Sequence, residues 1–172
     1  MHCMLDLETF DIAPTSLIWQ IGAVAFDEDG IHKEFQCIIK IDDFMMQNFS
    51  ISASTFNWWL QQTEAIKMMA NANQSLDDAL YKFETFYDSI DGHELWGNGS
   101  DFDNVILANA YKVRGFNLPW SYGLNRCFRT IKNSHPKINI PFIGTRHSAL
   151  DDARYQAEYL IKLNRYSNLN ML

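Results

Sequence analysis

The sequence predicts an α/β domain: a mixed five-stranded sheet with helices on both faces. Three observations carry this expectation. Three strand-like segments follow one another at the N-terminus, two short ones appear later between amphipathic helices, and no linker, repeat or low-complexity tract divides the chain. With 172 residues, 47% hydrophobic and 14% aromatic, the chain can bury one real core, so residues 1–172 read as a single domain.

The opening residues Met1 to Leu7 alternate weakly and suit a short strand. Ser16 to Phe26 (SLIWQIGAVAF) is apolar and rich in β-branched and aromatic residues, as a largely buried strand requires. Asp27-Glu28-Asp29-Gly30 is a turn signal that leads as a hairpin into a third strand over Lys33 to Lys40. From Ser54, a candidate cap, helical patterning runs to about Asn71, with Phe56, Trp58, Trp59, Leu60 and Ile66 forming a wide apolar face. The tryptophans of this face and Trp96 are expected in the core. A second helix spans Ser75 to about Ile90, with Leu76, Leu80, Phe83 and Tyr87 recurring at helical spacing and Ser75/Asp78 resembling a capping box. Glu94 to Gly97 reads as a short strand, and Asp101 to Arg114 as a helix ended by Gly115. Asn125 to Ile131 is the expected fifth strand, Asn133 to Thr145 a loop with two prolines, and Ser148 to Arg165 a final amphipathic helix.

Composition narrows the function. The three cysteines, Cys3, Cys37 and Cys127, form no paired motif and no zinc spacing, and read as free thiols of a reducing compartment. No run of 18 apolar residues occurs, and the N-terminus enters a candidate strand without a basic leader. Membrane insertion and secretion are therefore not expected, and the cytosol is the expected location. The net charge of −7 is unevenly spread: Asn104 to Leu150 holds no Asp or Glu and seven of the 14 basic residues, so it carries +7 against −14 for the remainder. A basic segment between acidic motifs can hold a polyanion while the acids hold cations.

Those acids lie in three separated motifs: Asp6 and Glu8 in LDLETFD, Asp103 in WGNGSDFDNVIL, and Asp152 in RHSALDDA. On a strand, Asp6 and Glu8 at i and i+2 share one face. Asp103 lies in the first turn of a helix, where an acid is ordinarily favoured by the macrodipole. Asp152 falls in the opening turns of the last helix, with Asp151 turned roughly 100° away, and His147 lies in the loop before it. Each motif alone has an ordinary surface explanation. Together they place carboxylates beside apolar segments, where bare anions are unfavourable and hard divalent cations such as Mg²⁺ or Mn²⁺ would neutralise them. His147 adds a group that titrates near neutral pH.

The ordered set Asp-x-Glu, then FD, then H-x-A-x-x-D resembles the DEDDh class of 3′–5′ exonucleases, relatives of the proofreading exonuclease subunit, RNase T and oligoribonuclease. The resemblance covers nearly the whole chain. It is closest to the small phage and bacterial branch containing the mycobacterial RNase-T-like exoribonuclease, through Ser50-Ile51-Ser52-Ala53-Ser54-Thr55 with Trp58-Trp59 and through Trp96 to Leu107. It implies an RNase H-like fold, two bound ions (Mg²⁺ or Mn²⁺) held by Asp6, Glu8, Asp103 and Asp152, and His147 as general base. The match of His147-Ser148-Ala149-Leu150-Asp151-Asp152 to H-x-A-x-x-D selects Asp152 over Asp151. Thr9 and Phe10, just after the first acidic pair, are implied substrate contacts, and Phe102 joins Phe10 as a candidate stacking surface for unpaired bases. The chain departs from many relatives at Cys127-Phe128, where an acidic residue would precede Arg129-Thr130.

The expected reaction is metal-dependent hydrolysis of DNA or RNA from a free 3′ end, releasing nucleoside 5′-monophosphates. The resemblance also admits a homodimer. Two other readings stand beside it: a non-catalytic nucleic-acid-binding domain, for which no acid is missing, and an RNase H-type endonuclease, against which the H-x-A-x-x-D ending speaks. DNA and RNA differ by a 2′-OH that no residue here singles out.

Overall fold

The computed structural model describes residues 1–92, 94–99 and 101–167. Its strands are β1 (His2–Thr9), β2 (Ile18–Phe26), β3 (Ile31–Ile38), β4 (Leu95–Gly97) and β5 (Asn125–Cys127). Its helices are α1 (Asp43–Asn48), α2 (Ala53–Trp59), α3 (Thr63–Ala70), α4 (Leu76–Ser89), α5 (Asp103–Arg114), α6 (Phe128–Ser134) and α7 (Ala149–Ser167). The sheet runs in the order β3-β2-β1-β4-β5. β1, β2 and β3 are an antiparallel meander, while β4 pairs parallel with β1 and β5 parallel with β4. This is the expected mixed five-stranded sheet.

Both faces are covered, which is why all nine residues of β2 are buried. Strand alternation sorts the side chains. Cys3, Leu5 and Leu7 of β1 face a core with Leu80, Phe83 and Tyr87 of α4 and with Ile106, Leu107, Ala110 and Tyr111 of α5. Met4 faces the other way, joining Val24, Phe26 and Trp96 against Ala153, Ala157 and Leu160 of α7. Asp6 and Glu8 have the parity of Met4, so the strand's own period aims both at the α7 side.

Several boundaries fall where expected. Ser75 and Asp78 complete a reciprocal capping box at α4, and Gly115 ends α5 in the left-handed conformation at φ 72°. Three differ. The helix expected from Ser54 to Asn71 is two helices, because the amides of Gln61 and Gln62 bond back to the carbonyls of Trp58 and Trp59 three residues earlier and tighten the last turn of α2. Its cap is Ser52, whose hydroxyl accepts from Thr55 N, while Ser54 bonds the Ser52 hydroxyl. The strand expected over Asn125 to Ile131 stops at Cys127, because its partner β4 ends at Gly97, the residue opposite Cys127. Phe128 and Ile131, three apart, instead lay one face of α6 against α7's core. The six-residue α1, capped by Asp42, is too short for a period to announce.

One contact sets the position of α7 along the sheet. Gly22 of β2 lies opposite Asp6 of β1, and the backbone of Ala149 and Leu150 rests directly on it; a Cβ there would overlap both residues. Beside it, the Gln20 Oε1 accepts a hydrogen bond from Ala149 N at 3.1 Å. We expect Gly22→Ala to force α7 off the sheet and lower unfolding free energy by about 1–3 kcal/mol. Chemical denaturation checks it, and an unchanged midpoint would refute the close approach.

Candidate active site

The first turns of α7, seated on Gly22, bring Asp152 to the two carboxylates of β1. One oxygen from each of Asp6, Glu8 and Asp152 lies within 4.8 Å of the others. Asp151, next door, turns elsewhere: it accepts from Thr145 N at 2.9 Å and pairs with Arg154 at 2.5 Å. The helical phase that separates the two aspartates thus divides their roles, with Asp152 in the cluster and Asp151 pinning the preceding loop.

Asp103 reaches the cluster from the opposite face. The β1–β4 ladder pairs Cys3 with Leu95 and Met4 with Trp96 and goes no further. Beyond it, Asp103 occupies the gap, accepting from Leu7 N at 3.1 Å and Asn98 N at 2.7 Å. Both of its oxygens therefore serve backbone amides, although its charge still acts on Asp6 and Glu8.

His147 stands at the rim in the left-handed region, at φ 61°. Its amide donates to Asp152 Oδ2 at 2.9 Å. Its exposed imidazole meets the indole of Trp58 edge-on, with ring centroids 4.7 Å apart. β1 and α7 thus bring three acids together, α5 sets the charge of Asp103 near Asp6 and Glu8, and the loop before α7 joins His147 to Asp152.

The expected substrate contacts are less open. Thr9 is buried, its hydroxyl donating to Asp11 O and its carbonyl accepting from Trp59 Nε1 at 2.8 Å. Phe10 is 4% exposed and packs against Phe56, and Phe102 is half-buried against the same core. Phe56, at 45% exposure, carries the open aromatic surface there. Trp59 and Trp96 are core as expected, but Trp58 is 36% exposed.

Two residues of the site were not singled out by sequence patterning. Gln156 donates to Asp6 Oδ1 at 2.7 Å; it lies one helical turn after Asp152 on the same face, a spacing that would have found it. Gln20, which holds the start of α7, sits opposite Glu8 on β2, a pairing visible only once the register is known. The basic segment also divides. Arg114 pairs with Asp77, Arg126 with Glu94, and Lys132 lies over the rings of Phe128, Tyr155 and Tyr159. Arg129 and Arg146 remain close enough to draw down the ionisation of Asp103 and Asp152 respectively.

Burial is the main force on the acids. It raises Asp6 well above the carboxylate range, reinforced by the charges of Asp103, Glu8 and Asp152 and opposed by the Gln156 hydrogen bond. Glu8 is pushed up to about 8 by burial and then by Asp152 and Asp103. Asp103 rises to about 6, its burial offset by the amides of Asn98 and Leu7. Burial raises Asp152 too, against the His147 amide. Such a set is poorly suited to bare anions and well suited to hard divalent cations. Asp6, Glu8 and Asp152 have the donor chemistry to hold Mg²⁺ or Mn²⁺ directly, with Asp103 adding negative charge beside them.

A family model described as 3′-5′ exoribonuclease Rv2179c-like domain matches residues 1–163. Among solved structures, the chain is similar to Exonuclease X in complex with 5′ overhanging duplex DNA, at 16% identity and TM-score 0.63, over 99% of this chain and 95% of that one. It is also similar to a 3′-exonuclease described in 3′-end specific recognition of a histone mRNA stem-loop, at 14% identity and TM-score 0.65, over 95% of this chain and 81% of that one. At such identities these likenesses speak to the fold, which is RNase H-like. Comparison with curated proteins by sequence finds no match.

The raised carboxylates fix the sign of a pH effect. Their folded pKa values lie above the unfolded ones, so between about pH 4 and about 8 the metal-free native state keeps protons that the unfolded chain has released. Stability should fall as pH rises through that window. Added Mg²⁺ should raise the melting temperature at the upper end, where the acids give up their protons to the ion most readily, and much less at the lower end. Thermal scans with and without chelator read this out; a melting temperature indifferent to Mg²⁺ at the upper end would remove the metal site.

Proposed function

Because the chain belongs to the Rv2179c-like family of 3′-5′ exoribonuclease domains, and so is a 3′-5′ exonuclease, we propose that it removes nucleotides one at a time from a free 3′ end with His147 as general base. The observation that carries this is the meeting of Asp6, Glu8 and Asp152 within 4.8 Å directly beneath the loop that bears His147. Held by these three acids, with the charge of Asp103 beside them, two Mg²⁺ or Mn²⁺ ions would supply Lewis-acid activation of a water and neutralise charge at the leaving 3′ oxygen.

The chain's own residues supply the rest. His147, exposed and on a loop, takes a proton from the attacking water as the new P–O bond forms and the bond to the 3′ oxygen of the penultimate nucleotide breaks. The product is a nucleoside 5′-monophosphate. Asp152 fixes the backbone of His147 through its amide, and Gln156 holds Asp6 in orientation. Arg129 and Arg146, on the Asp103 and Asp152 sides, offer positive charge to the phosphates of the strand. The Thr9–Phe10 segment, Phe102 and the exposed face of Phe56 form the surface for the terminal bases. The family's description favours RNA as substrate. Cytosolic action agrees with free Cys3, Cys37 and Cys127. Among the described residues no helix is long and apolar enough to cross a membrane.

The test is digestion of matched 5′-labelled RNA and DNA, single-stranded and with 3′ overhangs, in Mg²⁺ and in chelator. A ladder shortening from the 3′ end is expected only with metal, with His147→Ala slower by roughly 10²–10⁴-fold and Asp152→Asn inactive. Cutting of a 3′-blocked oligonucleotide at internal positions would instead make it an endonuclease. Full activity of Asp152→Asn would overturn the ligand assignment.

A further inference from the structure

We propose that Trp58 is a positioning residue for His147: its indole, rather than a hydrogen bond to a ring nitrogen, sets where the general base stands. The inference rests on the reading of His147 as the base and asks what aims it. Bases in hydrolytic sites are usually oriented by a third group bonded to the ring nitrogen that faces away from the reaction. Here neither ring nitrogen of His147 has a protein hydrogen-bond partner among the described residues. The residue's polar tether is its backbone amide on Asp152. That bond fixes the backbone but leaves the side-chain torsions free.

The ring is instead met from the side. Trp58 stands edge-on to it at 4.7 Å and 81°, and Trp59 lies further off at 6.4 Å and 90°. Trp58 in turn packs at 4.7 Å on Trp59, which is buried, sits edge-on to Trp19 at 4.9 Å, and donates its Nε1 to Thr9 O, one residue after Glu8. A continuous path of rings thus runs from the end of β1, where the carboxylates are, through Trp59 and Trp58 to His147. Its rigid elements set the distance between acids and base. Trp58 is held on one side by Trp59 and leaves 36% of its surface open, with the imidazole against it at the same centroid distance of 4.7 Å. With the ring steered by packing alone, both nitrogens stay open, one to a water and the other to solvent.

The test combines two variants with two backgrounds. Trp58→Ala and Trp58→Phe are made alone and with His147→Ala, and kcat, KM and Mn²⁺ affinity are measured on a single-stranded oligonucleotide. Trp58→Ala should lower kcat between about 10- and 100-fold, as misplacement of a base does, while KM and Mn²⁺ affinity stay within about twofold. Trp58→Phe, which keeps a ring edge, should recover most of the rate. In the His147→Ala background Trp58→Ala should produce no further loss. An equal fold-loss in both backgrounds overturns the proposal, as does a raised KM with unchanged kcat, which would make Trp58 a base-stacking surface. Weakened Mn²⁺ binding in Trp58→Ala overturns it too, by moving the effect to the acids. If His147→Ala alone retains full activity, the reading of His147 itself has failed, which the single variant shows independently of Trp58.

Discussion

Like charges gathered in a poorly hydrated place repel, and the seam between β1 and α7 is built around that repulsion. Asp6 and Glu8 share a strand face by simple alternation; Asp152 is added by a helix whose backbone rests on Gly22. No lysine or arginine pairs with Asp6, Glu8 or Asp152 among the described residues. The partners supplied are the Gln156 amide on Asp6 and the His147 amide on Asp152. Asp103 is satisfied by two backbone amides where the β1–β4 ladder ends. The protein therefore holds the acids in place without neutralising them, leaving a deficit of positive charge that a divalent cation fits.

Rigidity around this seam comes from packing. β2 is buried on both faces, and Gln20 and Gly22, two residues apart on it, present one side chain and one bare backbone to the start of α7. The loop before α7 is then pinned twice, by Asp151 on Thr145 N and by Asp152 on His147 N. Consecutive aspartates on one helix thus perform different tasks because a residue step turns the side chain through roughly 100°. On the other side of the cluster, the Trp58-Trp59 pair links α2 to β1 and to the imidazole. The clustered acids stand on strands and helices, while His147 stands on a braced loop, a division that suits fixed ligands and a proton carrier.

The charge asymmetry along the chain has a structural counterpart, though not a uniform basic face. Arg114 and Arg126 are spent on Asp77 and Glu94, tying the basic segment to the acidic remainder, and Lys132 lies on aromatic rings. What is left near the acids is one arginine on each side, Arg129 by Asp103 and Arg146 by His147. Net charge of −7 is thus no obstacle to holding a polyanion when the local balance is set by a few side chains.

Much of this was legible in the amino-acid sequence. Apart from the choice of Asp152 over Asp151, which the resemblance to H-x-A-x-x-D implied, period-two alternation put Asp6 and Glu8 on one face, and Ser75/Asp78 and Gly115 marked helix ends that tertiary packing had no reason to alter. These are local properties, decided within a few residues by backbone geometry. What the sequence left undecided depends on neighbours distant in the chain. β5 stops where β4 stops, the helix after Ser52 breaks where Trp59 is anchored on Thr9, and Phe10 is in the core because Phe56 covers it. The roles of Gln20 and Gly22 need the β1–β2 register, and that of Trp58 needs α2 brought against a loop almost 90 residues later in the chain. Local periodicity determines which side chains share a face; only the folded chain decides what faces them, because burial and contact are properties of the whole packing.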